Sequence, residues 1–250
     1  MSSSFTVPPP ALDVGSLERR PSIVLSASVP ALLDASVYDP ADSELVEESN
    51  RRYAADARPD RIRAAVSALT RVALGHSPSI RLVFGAHPTI SPMILQAAAD
   101  MDAMNESILV FQSEAYAGLI PQSTLRLANW SKGRLILTAK KPEPPLPATL
   151  LKRMWPYPAS LAFMRELMMS VPGVVGAIFI GGMRGVEDEA DLFRHVHPKG
   201  KRYAIASTGG AAALLDQRSP YDFHGTLVDP TPLRRLRSYT VVARRIVDDL

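Results

Sequence analysis

Short apolar runs that break off in serine, threonine or glycine recur along this chain, and most lead into a stretch of helical periodicity. Ile23-Val24-Leu25-Ser26-Ala27-Ser28 is the first such run, and Arg81 to Phe84, Ser107 to Phe111, Arg134 to Thr138, Val174 to Ile180 and Tyr203 to Ala206 follow. Near-continuous apolar runs of this length suit strands buried on both faces of a parallel sheet. Between them, Pro59 to Leu74 places Ile62, Val66, Leu69 and Ala73 on one helical face, and Pro158 to Val171 does the same with Leu161, Met164, Met168 and Val171. Ser91 as an N-cap and Pro92 as first helical residue predict a helix to about Met104. Val186 to Val196 and Ala211 to Leu215 complete the set, and Pro142 to Pro147 is a proline-rich connector. This alternation predicts βαβ units and an α/β, doubly wound, mainly parallel sheet with helices on both faces. The closing stretch, Ser238 to Leu250, suits strand and helix equally.

Composition removes several function classes. With 46% hydrophobic and 21% charged residues, the chain can bury a substantial core. No apolar run approaches the roughly 18 residues that would cross a bilayer, so no membrane partner is expected. Met1 to Pro10 has neither a basic leader nor an apolar segment, which points to a cytoplasmic protein without a secretory signal. The absence of cysteine excludes disulfides, thiolate zinc sites and cysteine nucleophiles. Residues 1–21 read as a disordered Ser/Pro-rich arm, with order beginning at Ile23, and residues 22–250 as one domain. An acidic stretch at about 34–50 (Asp34, Asp39, Asp42, Glu44, Glu47 and Glu48) reads as an exposed insertion. The net charge of +3 divides unevenly, with the second half strongly basic, but the cations are scattered over several elements and suit a solvated face.

In an open parallel sheet, ligands bind beyond the carboxyl ends of the strands. The polar tip Ser26 and Ser28 lies at such an end, and three loops share that position. Gly85 to Ser91 contains His87 and leads into a helix N-terminus, whose free N–H groups can hold an anion. Gly181-Gly182-Met183-Arg184-Gly185 permits close backbone approach and adds a guanidinium. Ser207-Thr208-Gly209-Gly210 combines hydroxyls with glycine. Together they point to a phosphate-bearing ligand. No G-x-x-x-x-G-K-[ST] occurs, and no G-x-G-x-x-G follows the first strand, which argues against P-loop triphosphatases and dinucleotide dehydrogenases. No carboxylate–histidine pattern of a zinc or iron site accompanies His195 and His197, so no metal and no cofactor is expected. Arg234, Arg235, Arg237, Arg244 and Arg245 have no interleaved aromatics, so nucleic acid is not the expected partner.

The segment Arg165 to Glu189, RELMMSVPGVVGAIFIGGMRGVEDE, resembles the SLOG superfamily. That superfamily includes LOG-type nucleotide phosphoribohydrolases, DprA/Smf proteins and nucleotide-sensing domains of bacterial defence systems. Arg165 with Met168-Met169 matches the LOG pattern's arginine, Gly181, Gly182 and Gly185 match its glycines, and Glu189 matches its acid. Leu25 to Ser28, Leu82 to Pro92 and Lys201 to Leu215 fall where the family has its other site elements, so the likeness covers about 23–28 and 81–215. Ile180 stands where the family has proline, Val186 where it has threonine, and one extra residue separates Gly182 from Gly185.

The resemblance implies a Rossmann-like fold and a nucleotide or NAD-derived ligand, a homodimer by analogy, and an effector protein that responds to a sensor. Nucleotide binding is the expectation that the altered glycine loops favour. An N-glycosidase with Arg165 and Glu189 catalytic is the alternative, since a carboxylate facing the ribose can stabilise the charge of bond cleavage. A DNA-binding or assembly protein on the same fold is the third.

Overall fold

The computed structural model describes residues 13–37, 40–76, 79–101, 105–120, 133–144 and 157–250. Its centre is β1 (Ser22–Ser28), whose first five residues are buried. Ile23 and Leu25 point into one apolar cluster and Val24 into another on the opposite face, the alternation required of a strand inside a two-sided layer. Five strands join it: β2 (Arg81–Gly85), β3 (Ile108–Ser113), β4 (Gly133–Thr138), β5 (Val174–Gly181) and β6 (Lys201–Ala204). The order is β4-β3-β2-β1-β5-β6, and every pairing is parallel. The fold is thus the expected α/β, Rossmann-like arrangement. The chain steps outward from β1 to β4 and then returns to lay β5 on the other side of β1. That reversal opens a crevice at the carboxyl ends of β1 and β5.

Eight α-helices belong to the described residues: α1 (Pro40–Ser49), α2 (Pro59–Gly75), α3 (Ser91–Ala99), α4 (Pro158–Met169), α5 (Arg184–Val196), α6 (Gly210–Arg218), α7 (Thr231–Arg235) and α8 (Tyr239–Asp249). Ile62, Ile94 and Ile246, from α2, α3 and α8, cover Ile23, Leu82 and Ile178 on one face. On the other, Met164, Met168, Phe193 and Leu215, from α4, α5 and α6, cover Val24, Val83 and Phe179. Each such side chain contributes about 1.5–3 kcal/mol by leaving water.

Four expectations change. The chain already packs on the core ahead of Ile23, because a 3-10 turn at Val14–Ser16 seats Val14 and Leu17 in the second cluster; residues 1–12 lie outside the described residues. The acidic stretch is helical in α1, where Glu44, Glu47 and Glu48 face solvent while Val46 is buried. A π-helical turn, Asn50–Ala54, continues it. Ser91 does not cap α3: it is the first helical residue, and its Oγ accepts the His87 N–H at 2.9 Å. The helix itself stops at Ala99, with Met104 outside the described residues. Finally, Ser238 to Leu250 resolves as a helix, because Val242, Ala243, Ile246 and Val247 form one stripe at three- and four-residue spacing that packs on the α2 side.

Candidate functional site

A cavity of about 340 Å³ lies across the carboxyl ends of β1, β2 and β3, walled by α4 and α5. Leu25 to Ser28 supply its floor from β1, Gly85 to Pro88 its side from β2, and Gln112 and Tyr116 its far end after β3. Leu161, Met164 and Arg165 descend from α4, and Met183, Gly185, Val186 and Glu189 come from the start of α5. Ser26, Ser28, Gly85, His87, Arg165, Gly185 and Glu189, all singled out from sequence, therefore meet at one place.

Ser26 is the most informative of them. It shares the face of β1 that carries Val24, the face under α4 and α5, and it is only 1% exposed. Its hydroxyl is buried without a hydrogen-bond partner. A buried, unpaired hydroxyl costs roughly 1–3 kcal/mol, so one retained at a cavity wall is suited to a ligand. Gly85 lines the wall nearby, where a Cβ would stand in ordinary contact with Met164 Cε at 3.6 Å.

Arg165 and Glu189 bind each other, Nε donating to Oε1 at 3.1 Å, with both side chains 14% exposed. Arg165 also donates to Asp188 Oδ2 and to the Gly185 carbonyl, each at 3.4 Å. One arginine therefore ties α4 to the first turns of α5. His87 is held by Thr89, whose Oγ1 lies 2.9 Å from Nδ1, and burial pushes its imidazole below the ordinary histidine value. The Thr89 N–H also donates to Nδ1 at 3.3 Å, so the neutral ring carries its proton on Nε2, which is left as a donor.

The remaining candidates support the cavity without lining it. Gly181 and Gly182 have φ of 58° and 85°, and a Cβ at Gly181 would press on Ile62 and on the Ser28 carbonyl. Their role is the turn itself, pinned where the Gly182 N–H donates to Ser28 O at 2.8 Å. Thr208 buttresses this turn by accepting the Gly181 N–H at 2.9 Å and donating to Ile205 O at 2.6 Å. Ser207 lies 3.3 Å from the Tyr239 hydroxyl, and Gly209 abuts the Asp56 carbonyl. The third loop thus faces the packing between β5, α2 and α8. Arg184 is 68% exposed and near Asp188 on the outer side of α5, and Ser91 is wholly buried, bracing the His87 turn.

Sequence reasoning missed Gln112 and Tyr116. Gln112 carries the signal that marked Ser26, a polar tip on an apolar run, but the run was ended at Phe111. Its Nε2 donates to Ala86 O at 3.3 Å and its Oε1 accepts the Ser113 N–H at 2.9 Å. Tyr116 sits in a 3-10 turn, Glu114–Leu119. Its hydroxyl accepts the Tyr157 N–H at 3.3 Å, its ring meets Tyr157 edge-on at 5.4 Å, and burial raises its phenol above the ordinary value. Nothing local in the sequence marks it. Glu187 is buried at 7% exposure beneath three donors, a role that its acidic neighbours in the sequence do not signal. Arg52 Nη2 reaches both its oxygens at 3.1 and 3.2 Å, Tyr53 O–H one of them at 2.5 Å, and Arg218 the other at 3.2 Å. This knot fastens the π-helical turn and α6 to the helix whose N-terminus borders the cavity.

Among the described residues, no group of three or more His, Cys, Asp or Glu could hold a metal ion, and no helix is long and apolar enough to cross a membrane. No curated protein and no solved structure matches the chain. A family model does match, that of the SLOG cluster3 family, over residues 52–137 and 156–229. Those segments contain the β2 and β3 walls of the cavity, the Arg165–Glu189 pair, the double-glycine turn and the Thr208 buttress; β1, with Ser26, lies outside them. With well over half of its length matched, the chain belongs to the SLOG cluster3 family.

Proposed function

We propose that the cavity binds a nucleotide or a nucleotide-derived molecule. The observation that carries the reading is the buried, unpaired Ser26 hydroxyl at a cavity on the topological switch point. It lies beside the N-terminal turn of α5, whose backbone N–H groups favour an anion. At about 340 Å³ the space falls at the small end of ligand pockets, which run from about 300 Å³ upward. The setting we propose is cytoplasmic, on a homodimer whose liganded form is read by a partner protein.

Hydrolysis of an N-glycosidic bond is the second reading, and the Arg165–Glu189 pair inside the cavity favours it. Water would add at the ribose C1′ while the bond to the base nitrogen breaks. The bonding pair would leave with the base, which takes up a proton, and Glu189 would stabilise the cationic ribose or accept the proton from water.

Mass spectrometry of the full chain incubated with nucleoside monophosphates, NAD, ADP-ribose and cyclic nucleotides separates the two. A nucleotide retained intact on the protein supports binding alone. Free base in the supernatant, lost in Glu189→Gln, makes the protein an N-glycosidase. A panel neither retained nor cleaved refutes both.

A further inference from the structure

Away from the cavity, the fold gathers exposed charge into two faces of opposite sign. The outer side of α1 carries Glu44, Glu47 and Glu48, and the loop before it carries Asp34. Arg51, 4.0 Å from Glu47, offsets part of this charge. Loop and helix form one unit, because Asn50 Oδ1 accepts the Leu33 N–H at 3.1 Å, Nδ2 donates to Leu33 O at 2.7 Å, and Ser43 Oγ donates to Ala35 O at 2.7 Å. The outer side of α8 is basic. Thr240, Val241, Arg244, Arg245 and Asp248 form its exposed stripe, and the exposed Arg235 and Arg237 precede its first turn. Among the described residues, Arg235, Arg237, Arg244 and Arg245 are in no hydrogen bond or ion pair; Asp229 and Asp248 are the acids beside Arg245.

Both faces also expose apolar side chains. Leu45 lies between Glu44 and Glu48 on α1, Leu32 projects from the attached loop, Val241 stands one turn before Arg244 and Arg245, and Val228 borders Arg245. Four of the six large apolar side chains exposed among the described residues thus stand among these charges, and apolar groups rimmed by charge are the anatomy of a contact surface rather than of a solvated one. The helices match in length, 10 residues in α1 and 11 in α8, or about 15 and 16 Å.

The two faces lie on opposite sides of the sheet. Tyr53 seats the turn that continues α1 in the cluster covered by α4, α5 and α6, whereas Val242, Ala243, Ile246 and Val247 seat α8 in the other. Two copies related by a two-fold axis cannot join both faces at once. One acidic face meets one basic face, and each copy added leaves one of each sign free, so the contact is heterologous and repeats.

We propose that the acidic face of α1 docks on the basic face of α8 in a second copy, joining copies of this chain head to tail. The proposal is independent of what the cavity binds. Exposed ion pairs are individually weak and screened by salt, so the contact forms at high protein concentration and low ionic strength.

Light scattering and sedimentation of the full chain test it. From about 5 to about 200 µM chain in about 30 mM salt, the average mass should climb past that of a dimer, and about 500 mM salt should abolish the climb. Glu44→Lys with Glu48→Lys makes both faces basic, and Arg244→Glu with Arg245→Glu makes both acidic. Each double variant alone should associate at least about tenfold more weakly, and an equimolar mixture should recover the growth because unlike faces meet again. All four positions are exposed, so both variants should melt with the parent. Glu44→Gln with Glu48→Gln and Arg244→Gln with Arg245→Gln repeat the test without introducing repulsion, and each should weaken association several-fold. A parent whose mass does not change with concentration overturns the proposal and leaves the faces to partners of another kind. Growth that survives the reversals, or that salt leaves untouched, overturns it as well. Association lost in folded variants and not restored on mixing overturns the pairing of these two faces.

Discussion

Ser26 shows how stability and function part company within one side chain. Its hydroxyl is buried and makes no hydrogen bond, so the fold bears the cost of desolvating it. Replacing Ser26 by alanine removes that cost and only one atom of volume. The expected result is a melting temperature equal to or higher than the parent's, by up to about 1 kcal/mol of stability, together with at least tenfold weaker nucleotide binding. Calorimetry and thermal melts on one preparation would check both halves, and a destabilised variant with intact binding would show the hydroxyl to be structural. Glu187 is the opposite case, a carboxylate whose partners are all internal. Glu187→Ala would leave Tyr53 and two arginines without their acceptor. The loss should be about 2–3 kcal/mol, below the figure for a fully buried pair because Arg52 and Arg218 are half exposed. Denaturant unfolding would measure it.

Among the elements, the segment before β1 changes the most between sequence and structure. A stretch rich in serine and proline reads as an arm, yet Val14 and Leu17 supply two apolar anchors, and the Glu18 carbonyl accepts from Arg81 Nη1 at 3.0 Å. Arg81 is wholly buried, and burial pulls its guanidinium down to about 10, so every acceptor it has matters. Relative to a chain lacking residues 1–12, deletion of residues 1–20 should cost at least about 3 kcal/mol, or roughly 6–12 °C. Equal melting temperatures for the two truncations would mean that the contacts of residues 13–20 contribute nothing. The same lesson applies to α1 and the π-helical turn, where Glu44, Glu47 and Glu48 face solvent but Asp42 is buried, and Val46 and Tyr53 hold the element inward. Anchors spaced this sparsely do not form a periodic pattern, so local reading cannot detect them.

For the molecule as a whole, the decisive fact is that the order of strand addition reverses at β1, with β2 to β4 laid on one side of it and β5 and β6 on the other. It puts residues 26, 87, 112, 165 and 189 around one space even though they lie far apart in the chain. A ligand that binds only this folded arrangement stabilises it by mass action. At one hundred times its dissociation constant, the tightest mononucleotide should raise stability by about 2.7 kcal/mol. At roughly 2–4 °C per kcal/mol in a chain of this size, the melting temperature should rise by about 5–10 °C. A nucleotide panel without any shift would count against the binding reading.

The alternation of strands and helices, the parallel sheet and the strand ends that carry polar tips were legible in the sequence alone, because local periodicity and punctuation encode them. Half of the site was legible in the same way: Ser26, Ser28, Gly85, His87, Arg165, Gly185 and Glu189 each sit at a marked loop or a family motif. What only the tertiary structure decided is which marked loops face the ligand space. The serine–threonine–glycine loop after β6 looks as suited to phosphate as the others, but α2 and α8 pack against it, so that Thr208 supports the glycine turn and Ser207 faces Tyr239. Tyr116 and Glu187 likewise owe their roles to neighbours 41 and 134–135 residues away in the chain. Strand order and helix packing set such long-range contacts, and the local pattern of residues carries no record of them.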